Sequence, residues 1–178
     1  MTSPLWRPSA EKIASTNLTA FARSLGARMG LDLVDYRTLH RFSVENMAAF
    51  WAEVWEFGGI IASYRGGPVL ANPTAMPGAR FFPDATLNFA QNLLRRRDDA
   101  TAIFFRAEDK VSRTLSWRQL YDRVSQVAQA LRAVGVKPGD RCAAFVPNAP
   151  ESVIGMLGTA SIGAVWTSCS PDFGTQGV

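Results

Sequence analysis

The residues best able to do chemistry lie in two short loops, "FVPNAPE" at 145–151 and "SCSPDFG" at 168–174. Each follows an apolar run without alternation, and ligands of open parallel sheets bind beyond the carboxyl ends of the strands. Turn formers and small polar groups at both places allow backbone N–H groups to face a ligand. The same residues also suit simpler roles, Asn148 as a helix cap and Asp172 as a turn acid. No catalytic set accompanies them. There is no Gly-x-Ser-x-Gly, no Walker loop, no dinucleotide fingerprint and no reactive-looking cysteine. "RGGP" at 65–68 has no strand-and-helix context and no Lys-Ser/Thr pair, so it reads as a plain turn. The single histidine, His40, has no partners for a metal site and reads as a surface or packing residue. No catalytic residue and no metal ligand is expected in this stretch.

Composition narrows the class. With 47% hydrophobic and 19% charged residues the chain has the make-up of a soluble globular protein and enough apolar mass for a core. The net charge of +4 is split evenly between residues 1–99 and 100–178, so there is no basic lobe for a nucleic acid. The run Arg95-Arg96-Arg97 is followed by Asp98-Asp99 and reads as a solvated helix end. Cys142 and Cys169 both fall in strands expected to be buried, which suits free thiols in a reducing cytosol. The uncharged stretch 152–171 approaches membrane-span length. Its glycines and hydroxyl residues, and its change of period near Gly163, favour a buried helix followed by a buried strand.

The elements that position the two loops follow from periodicity and punctuation. Thr16 caps a helix with Leu18, Phe21, Ala22, Leu25 and Met29 on one stripe and Gly30 as its stop. Asp35 opens a short turn. Ser43 caps a helix over 44–57, striped by Met47, Phe50, Trp51, Val54 and Trp55 and stopped by a left-handed Gly58. A Pro/Gly-rich connection over 58–83 allows one short strand at Val69-Leu70. Asp84 or Thr86 caps a helix carrying Leu87, Ala90, Leu93 and Leu94. Beyond residue 100, "TAIFFR" and "VSRTLS" form a hairpin. Ser116 and Gln119 make a capping box for a helix striped by Leu120, Val124, Val127, Ala128, Leu131 and Val134. Gly135 ends it, with Val136 folding back on Leu131. Pro138-Gly139 centres a type II turn into the strand "RCAAFV". A helix over 151–162 and the strand "AVWTSC" complete a βαβ unit with parallel strands.

Two such strands, each expected to be buried on both faces, do not make a sheet that stands alone. The expected fold class is therefore α/β: a helical N-terminal cap over 1–97, then the first part of a parallel-sheet domain over 98–178, its sheet incomplete in this chain. The chain is expected to continue in the native gene product.

Four segments in order carry a family resemblance. "YRTLHRFSVENMAAFWAEVWEF" resembles the N-terminal cap of acetyl-CoA synthetase-like enzymes, and "PGARFFPDATLNFAQNLL" the segment after it. Residues 115–166, "LSWRQLYDRVSQVAQALRAVGVKPGDRCAAFVPNAPESVIGMLGTASIGAVW", resemble the start of the large AMP-binding domain of adenylate-forming acyl-CoA synthetases. The closing "TSCSPDFGTQGV" resembles the acetoacetate-activating branch. Acetate- and propionate-activating members tend to carry His-Ser and Phe-Gly-Gly-Phe where this chain has Trp166-Thr167 and Ser170-Pro171-Asp172-Phe173.

The resemblance implies an acid–CoA ligase that uses ATP, Mg²⁺ and coenzyme A on a small carboxylic acid, acetoacetate or another short acid. It implies no nucleic-acid or membrane partner, and it leaves the oligomeric state open. It further implies that Ser170, Pro171 and Asp172 border the coenzyme A channel, with Pro171 and Asp172 departing from the glycines of the acetyl-activating members. The family's phosphate loop, acyl pocket and C-terminal lysine have no counterpart here, so residues 1–178 alone are expected to be inactive. Rival expectations are an acetyl- or propionyl-CoA synthetase fragment, and a non-catalytic helical module presenting Phe50, Trp51, Trp55 and Phe57 to a partner.

Overall fold

The computed structural model describes residues 5–108 and 111–174. The chain divides into two compact units, Met1–Thr86 and Leu87–Val178. The last residues of the closing stretch, 175–178, lie outside the described residues, as do residues 109–110 of the expected hairpin connection.

The first unit is helical: α1 (Ala10–Ala14), α2 (Asn17–Met29), α3 (Tyr36–Glu45) and α4 (Met47–Phe57), then a two-stranded antiparallel pair, β1 (Leu70–Ala71) and β2 (Arg80–Phe81). Thr16 caps α2 as its position predicts, its hydroxyl accepting from the Thr19 N–H. Only the centre of the expected stripe is buried: Phe21, Ala22 and Leu25 pack with Leu33, Leu39 and Phe42, whereas Leu18 and Met29 stay exposed.

Asp35 opens a full helix and not a short turn, its carboxylate accepting from the Thr38 N–H. Ser43 is not a cap. Its hydroxyl donates to the His40 carbonyl inside α3 at 2.7 Å, and the break falls at Asn46 (φ −127°, ψ 48°). Hydroxyl bonding back into a helix is the common alternative to capping. Gly58 is right-handed (φ −70°), and the left-handed residue is Gly59 (φ 57°). Of the four aromatics considered as a partner surface, Trp55 is buried, Phe50 is half-buried against Phe21, and Trp51 and Phe57 remain partly exposed. Trp51 meets Phe81 edge-on at 5.2 Å. The buried Glu53 carboxylate is satisfied by Ser24 Oγ at 2.7 Å and Arg28 Nη1 at 2.6 Å, as a buried charge requires.

The second unit runs α5 (Phe89–Leu93), β3 (Thr101–Arg106), β4 (Ser112–Ser116), α6 (Trp117–Ala133), β5 (Arg141–Phe145), α7 (Pro150–Ser161) and β6 (Val165–Cys169), closing in a 3-10 turn at Pro171–Phe173. Asn88, not Asp84 or Thr86, caps α5. Its Oδ1 accepts from the Gln91 N–H, while its Nδ2 donates to the Ala160 and Ser161 carbonyls at the end of α7. α5 ends at Leu93, so the three arginines lie beyond it. Arg96 pairs with Asp98 and stacks on Trp117, and Arg97 lies 3.8 Å over the Tyr121 ring.

The hairpin, the capping box and the Val136-to-Leu131 fold-back form as expected. The type II turn does too: Gly139 sits at φ 89°, closed to glycine-free chemistry by its left-handed backbone, with Asp140 N–H on the Lys137 carbonyl. α6 and α7 pack with α5 around Ala90, Leu94, Leu120, Val124 and Leu157. Val134, expected on the stripe, is exposed.

β5 and β6 pair in parallel, in register from Arg141↔Val165 to Phe145↔Cys169. Neither strand is buried on both faces. Cys142, Ala144, Trp166 and Cys169 are half-buried, while Ala143, Phe145, Val165 and Thr167 are exposed. The helices cover one face of a two-stranded sheet, and among the described residues no third strand extends it. Both cysteines are free and half-buried, short of the buried positions expected. No helix among the described residues is long and apolar enough to cross a membrane.

Candidate functional site

Parallel pairing brings the two expected loops side by side at the carboxyl ends of β5 and β6. The ladder continues one step past the strands, the Val146 N–H donating to the Cys169 carbonyl at 3.2 Å. The chain then leaves in two tight structures. In the first, the Ala149 N–H folds back onto the Pro147 carbonyl at 2.8 Å, and Ser152 donates to the Ala149 carbonyl through both its N–H and its Oγ. Asn148 is not the cap of α7. That position is Ala149, which makes no side-chain cap bond, with Pro150 next in a position that needs no N–H partner.

The second structure gathers all three sequence candidates into one turn. Ser170 Oγ accepts from the Asp172 N–H at 3.3 Å and donates to Asp172 Oδ2 at 2.9 Å. The Phe173 N–H bonds the Ser170 carbonyl, and the Gly174 N–H bonds the Pro171 carbonyl. Pro171 has no N–H. The expectation that this loop turns backbone donors toward a ligand therefore fails for residues 171–174, whose donors are spent inside the turn. The Ser-x-Asp spacing was the local signal for such closure. What faces outward is the Pro171 ring, the Asp172 carboxylate and the Phe173 ring, all exposed.

One feature of this end of the sheet is invisible in the sequence. Arg113 on β4 grips Glu151 in the first turn of α7 with a two-pronged contact, Nη1 to Oε1 at 2.7 Å and Nη2 to Oε2 at 3.0 Å, across 38 residues of chain. The guanidinium also lies 5.1 Å from the ring of Phe105, its cross-strand partner. The Arg113 fork first, and the backbone N–H of Glu151 second, hold the Glu151 carboxyl below the usual glutamate range. Because the folded-state pKa is lowered, the contact is complete above the ordinary glutamate range. It is lost as pH falls through the lowered value. A carboxyl-carbon NMR titration should show Glu151 titrating below exposed glutamates, and Arg113→Met should move it up toward the ordinary range, the backbone N–H contact remaining. Equal titration in both proteins would show that the fork is not formed in solution.

His40 is exposed on α3 with its ring 6.1 Å from that of Tyr36, away from both loops in sequence and in the first unit. Among the described residues, no group of three or more His, Cys, Asp or Glu side chains is placed to hold a metal ion.

Comparison with known proteins fits this geometry. Residues 89–178 match the family model of AMP-binding enzymes, and residues 36–93 match that of the acetyl-coenzyme A synthetase N-terminus. The chain is 48% identical over 175 residues to an acetoacetyl-coenzyme A synthetase of Rhizobium meliloti (strain 1021), covering 98% of this chain and 27% of the relative. A malonamoyl-CoA synthetase of Penicillium aethiopicum is 37% identical over 180 residues, covering 97% of this chain and 25% of the relative. The solved structure of acetoacetyl-CoA synthetase from Streptomyces lividans superposes with a TM-score of 0.89 at 39% identity, over 98% of this chain and 28% of that one. The chain thus spans about a quarter of the length of the relatives it matches. By its parallel β5–α7–β6 unit and the match of residues 89–178, the chain belongs to the AMP-binding enzyme family and is homologous to acetoacetyl-CoA synthetases.

Proposed function

We propose that residues 1–178 form the N-terminal part of an ATP-dependent acid–CoA ligase that activates acetoacetate. In this reaction the carboxylate attacks ATP to give an acyl-adenylate and pyrophosphate, and the thiol of coenzyme A then displaces AMP. The observation that carries the reading is similarity along 98% of the chain to acetoacetyl-CoA synthetases from both sequence and structure. Within it, residues 1–97 are the helical cap and 98–178 the start of the large domain. The two family models overlap at 89–93, close to the division between the compact units after Thr86.

The residues present fit the three small molecules unequally. The described acidic side chains do not cluster as a Mg²⁺ site, so no step is derived through the ion. The closed 170–174 turn has no N–H left for a phosphate between Asp172 and Gly174, and Asp172 itself carries negative charge. It fits a chain of low charge lying along Pro171 and Phe173. Ser170, Pro171 and Asp172 would therefore border the pantetheine portion of coenzyme A by contact, with the Ser170–Asp172 bond holding the wall in shape.

The test uses the full-length protein. Pyrophosphate release should depend on acetoacetate, ATP and Mg²⁺, with acetate and propionate poorer. Clear turnover by residues 1–178 alone would overturn the assignment of these residues to scaffold. Asp172→Ala should raise KM for coenzyme A about fivefold, the equivalent of the ~1 kcal/mol that one intramolecular hydrogen bond contributes. An unchanged KM would remove these residues from the channel.

A further inference from the structure

The loop at 145–151 is held at one end by the sheet, through the Val146 N–H on the Cys169 carbonyl. Its other end has no cap side chain. That end is closed locally by Ser152, which donates to the Ala149 carbonyl, and by the buried Pro150; a further contact comes from a distant element, the two-pronged grip of Arg113 on Glu151. Paired parallel N–H···O bonds fix direction as well as distance, unlike a single lysine contact. The grip is itself braced. Arg113 stacks on Phe105, and the β3 strand that carries Phe105 is anchored by Ala102 and Ile103 against the core of Leu120, Val124 and Leu157. Glu151 in turn sits where a helix N-terminus favours negative charge. An isolated exposed ion pair contributes little to stability. A braced two-pronged contact at the helix end of a ligand-side loop acts on the loop's position instead.

We propose that Arg113 is a positioning residue: through Glu151 it fixes the 145–151 loop against the 168–174 turn, and so shapes the wall along which coenzyme A enters. This rests on the acid–CoA ligase reading above. Arg113 touches no reacting atom; its effect passes through Glu151 to the loop whose Val146 is bonded to the residue just before Ser170.

The experiment compares full-length wild type, Arg113→Met, Arg113→Lys and the swap Arg113→Glu/Glu151→Arg. Arg113→Met should raise KM for coenzyme A roughly tenfold, short of the hundredfold that a 1 Å misplacement can cost. The kcat at saturating coenzyme A should change less than about twofold, because only binding geometry is lost. Hydrogen exchange at Asn148, Ala149 and Glu151 should quicken in Arg113→Met. The swap should restore both readouts toward wild type, and Arg113→Lys only in part. Unchanged exchange at those amides, a swap no better than the single variant, or equal losses in kcat and KM would each overturn the proposal. If wild type shows no acetoacetate-dependent pyrophosphate release, the ligase reading fails, and amide exchange still decides whether Arg113 fixes the loop.

Discussion

Leu157→Ala should lower the unfolding free energy by about 2–5 kcal/mol, the range for deleting a leucine side chain from a packed core. Leu157 is 2% exposed and sits on α7 among Ala90, Leu94, Leu120 and Val124, so the atoms removed are not replaced by water or by an easy collapse. Domains of this kind hold only about 5–15 kcal/mol in total. The loss also falls on the helix that connects β5 to β6, so both loops of the candidate site lose their common support. Urea titration followed by circular dichroism should show a lower midpoint at unchanged slope. Leu157→Met, which keeps the volume, should cost less than about 1.5 kcal/mol. Equal small effects from both would mean that α7 is not packed as described.

Gly158→Val tests the same helix from the opposite direction. A Cβ at residue 158 would sit 2.6 Å from Val127 Cγ1 and 2.9 Å from Val127 Cβ, with the Ala128 backbone N at 3.5 Å. Valine has one strongly preferred rotamer in a helix, so Val127 cannot swing aside. α6 and α7 must separate instead. The expected cost is about 1–3 kcal/mol, the usual range for overpacking. Pairing Gly158→Ala with Val127→Ala should recover part of the loss of Gly158→Ala alone, because it removes the 2.6 Å contact with Cγ1 and leaves only the 2.9 Å contact with the Cβ of residue 127. A strictly additive double variant would show that the two helices do not meet at this point. Gly155 makes a similar approach to Trp166 of β6, where a Cβ would lie 2.8 Å from the indole ring. Small residues on α7 thus set how closely the crossover helix lies on both its neighbours.

These two sites explain why the βαβ unit was legible. Val127, Gly155 and Gly158 lie in runs whose period and terminators are local, and the elements follow from them within a residue or two. The capping box of Ser116 and Gln119, the Val136 fold-back and the Pro138-Gly139 turn are set by atoms three to five residues apart. The closed turn at 170–172 is set by atoms only two residues apart. Such features form wherever the sequence places them, because their partners arrive with the chain itself.

Where several local solutions were equivalent, tertiary contacts chose. Asp84, Thr86 and Asn88 are all good caps, and Asn88 prevails where its amide also reaches the Ala160 and Ser161 carbonyls. The helix break moved from Ser43 to Asn46 once the Ser43 hydroxyl was occupied by the His40 carbonyl. The apolar runs of β5 and β6 prescribe strands and not their surroundings; one face is covered by helices from the same unit and the other is open.

The sequence by itself determined α2, α6, α7, most of α4, the hairpin, the Pro138-Gly139 turn, the parallel strands and the family resemblance, since each is written in residues close together along the chain; α3, expected as a short turn, is a full helix with Leu39 and Phe42 in the core. Only the tertiary structure decided that Arg113 meets Glu151 and that Asn88 reaches the end of α7. Those contacts depend on where a distant segment returns in space, and no local pattern of residue types carries that information.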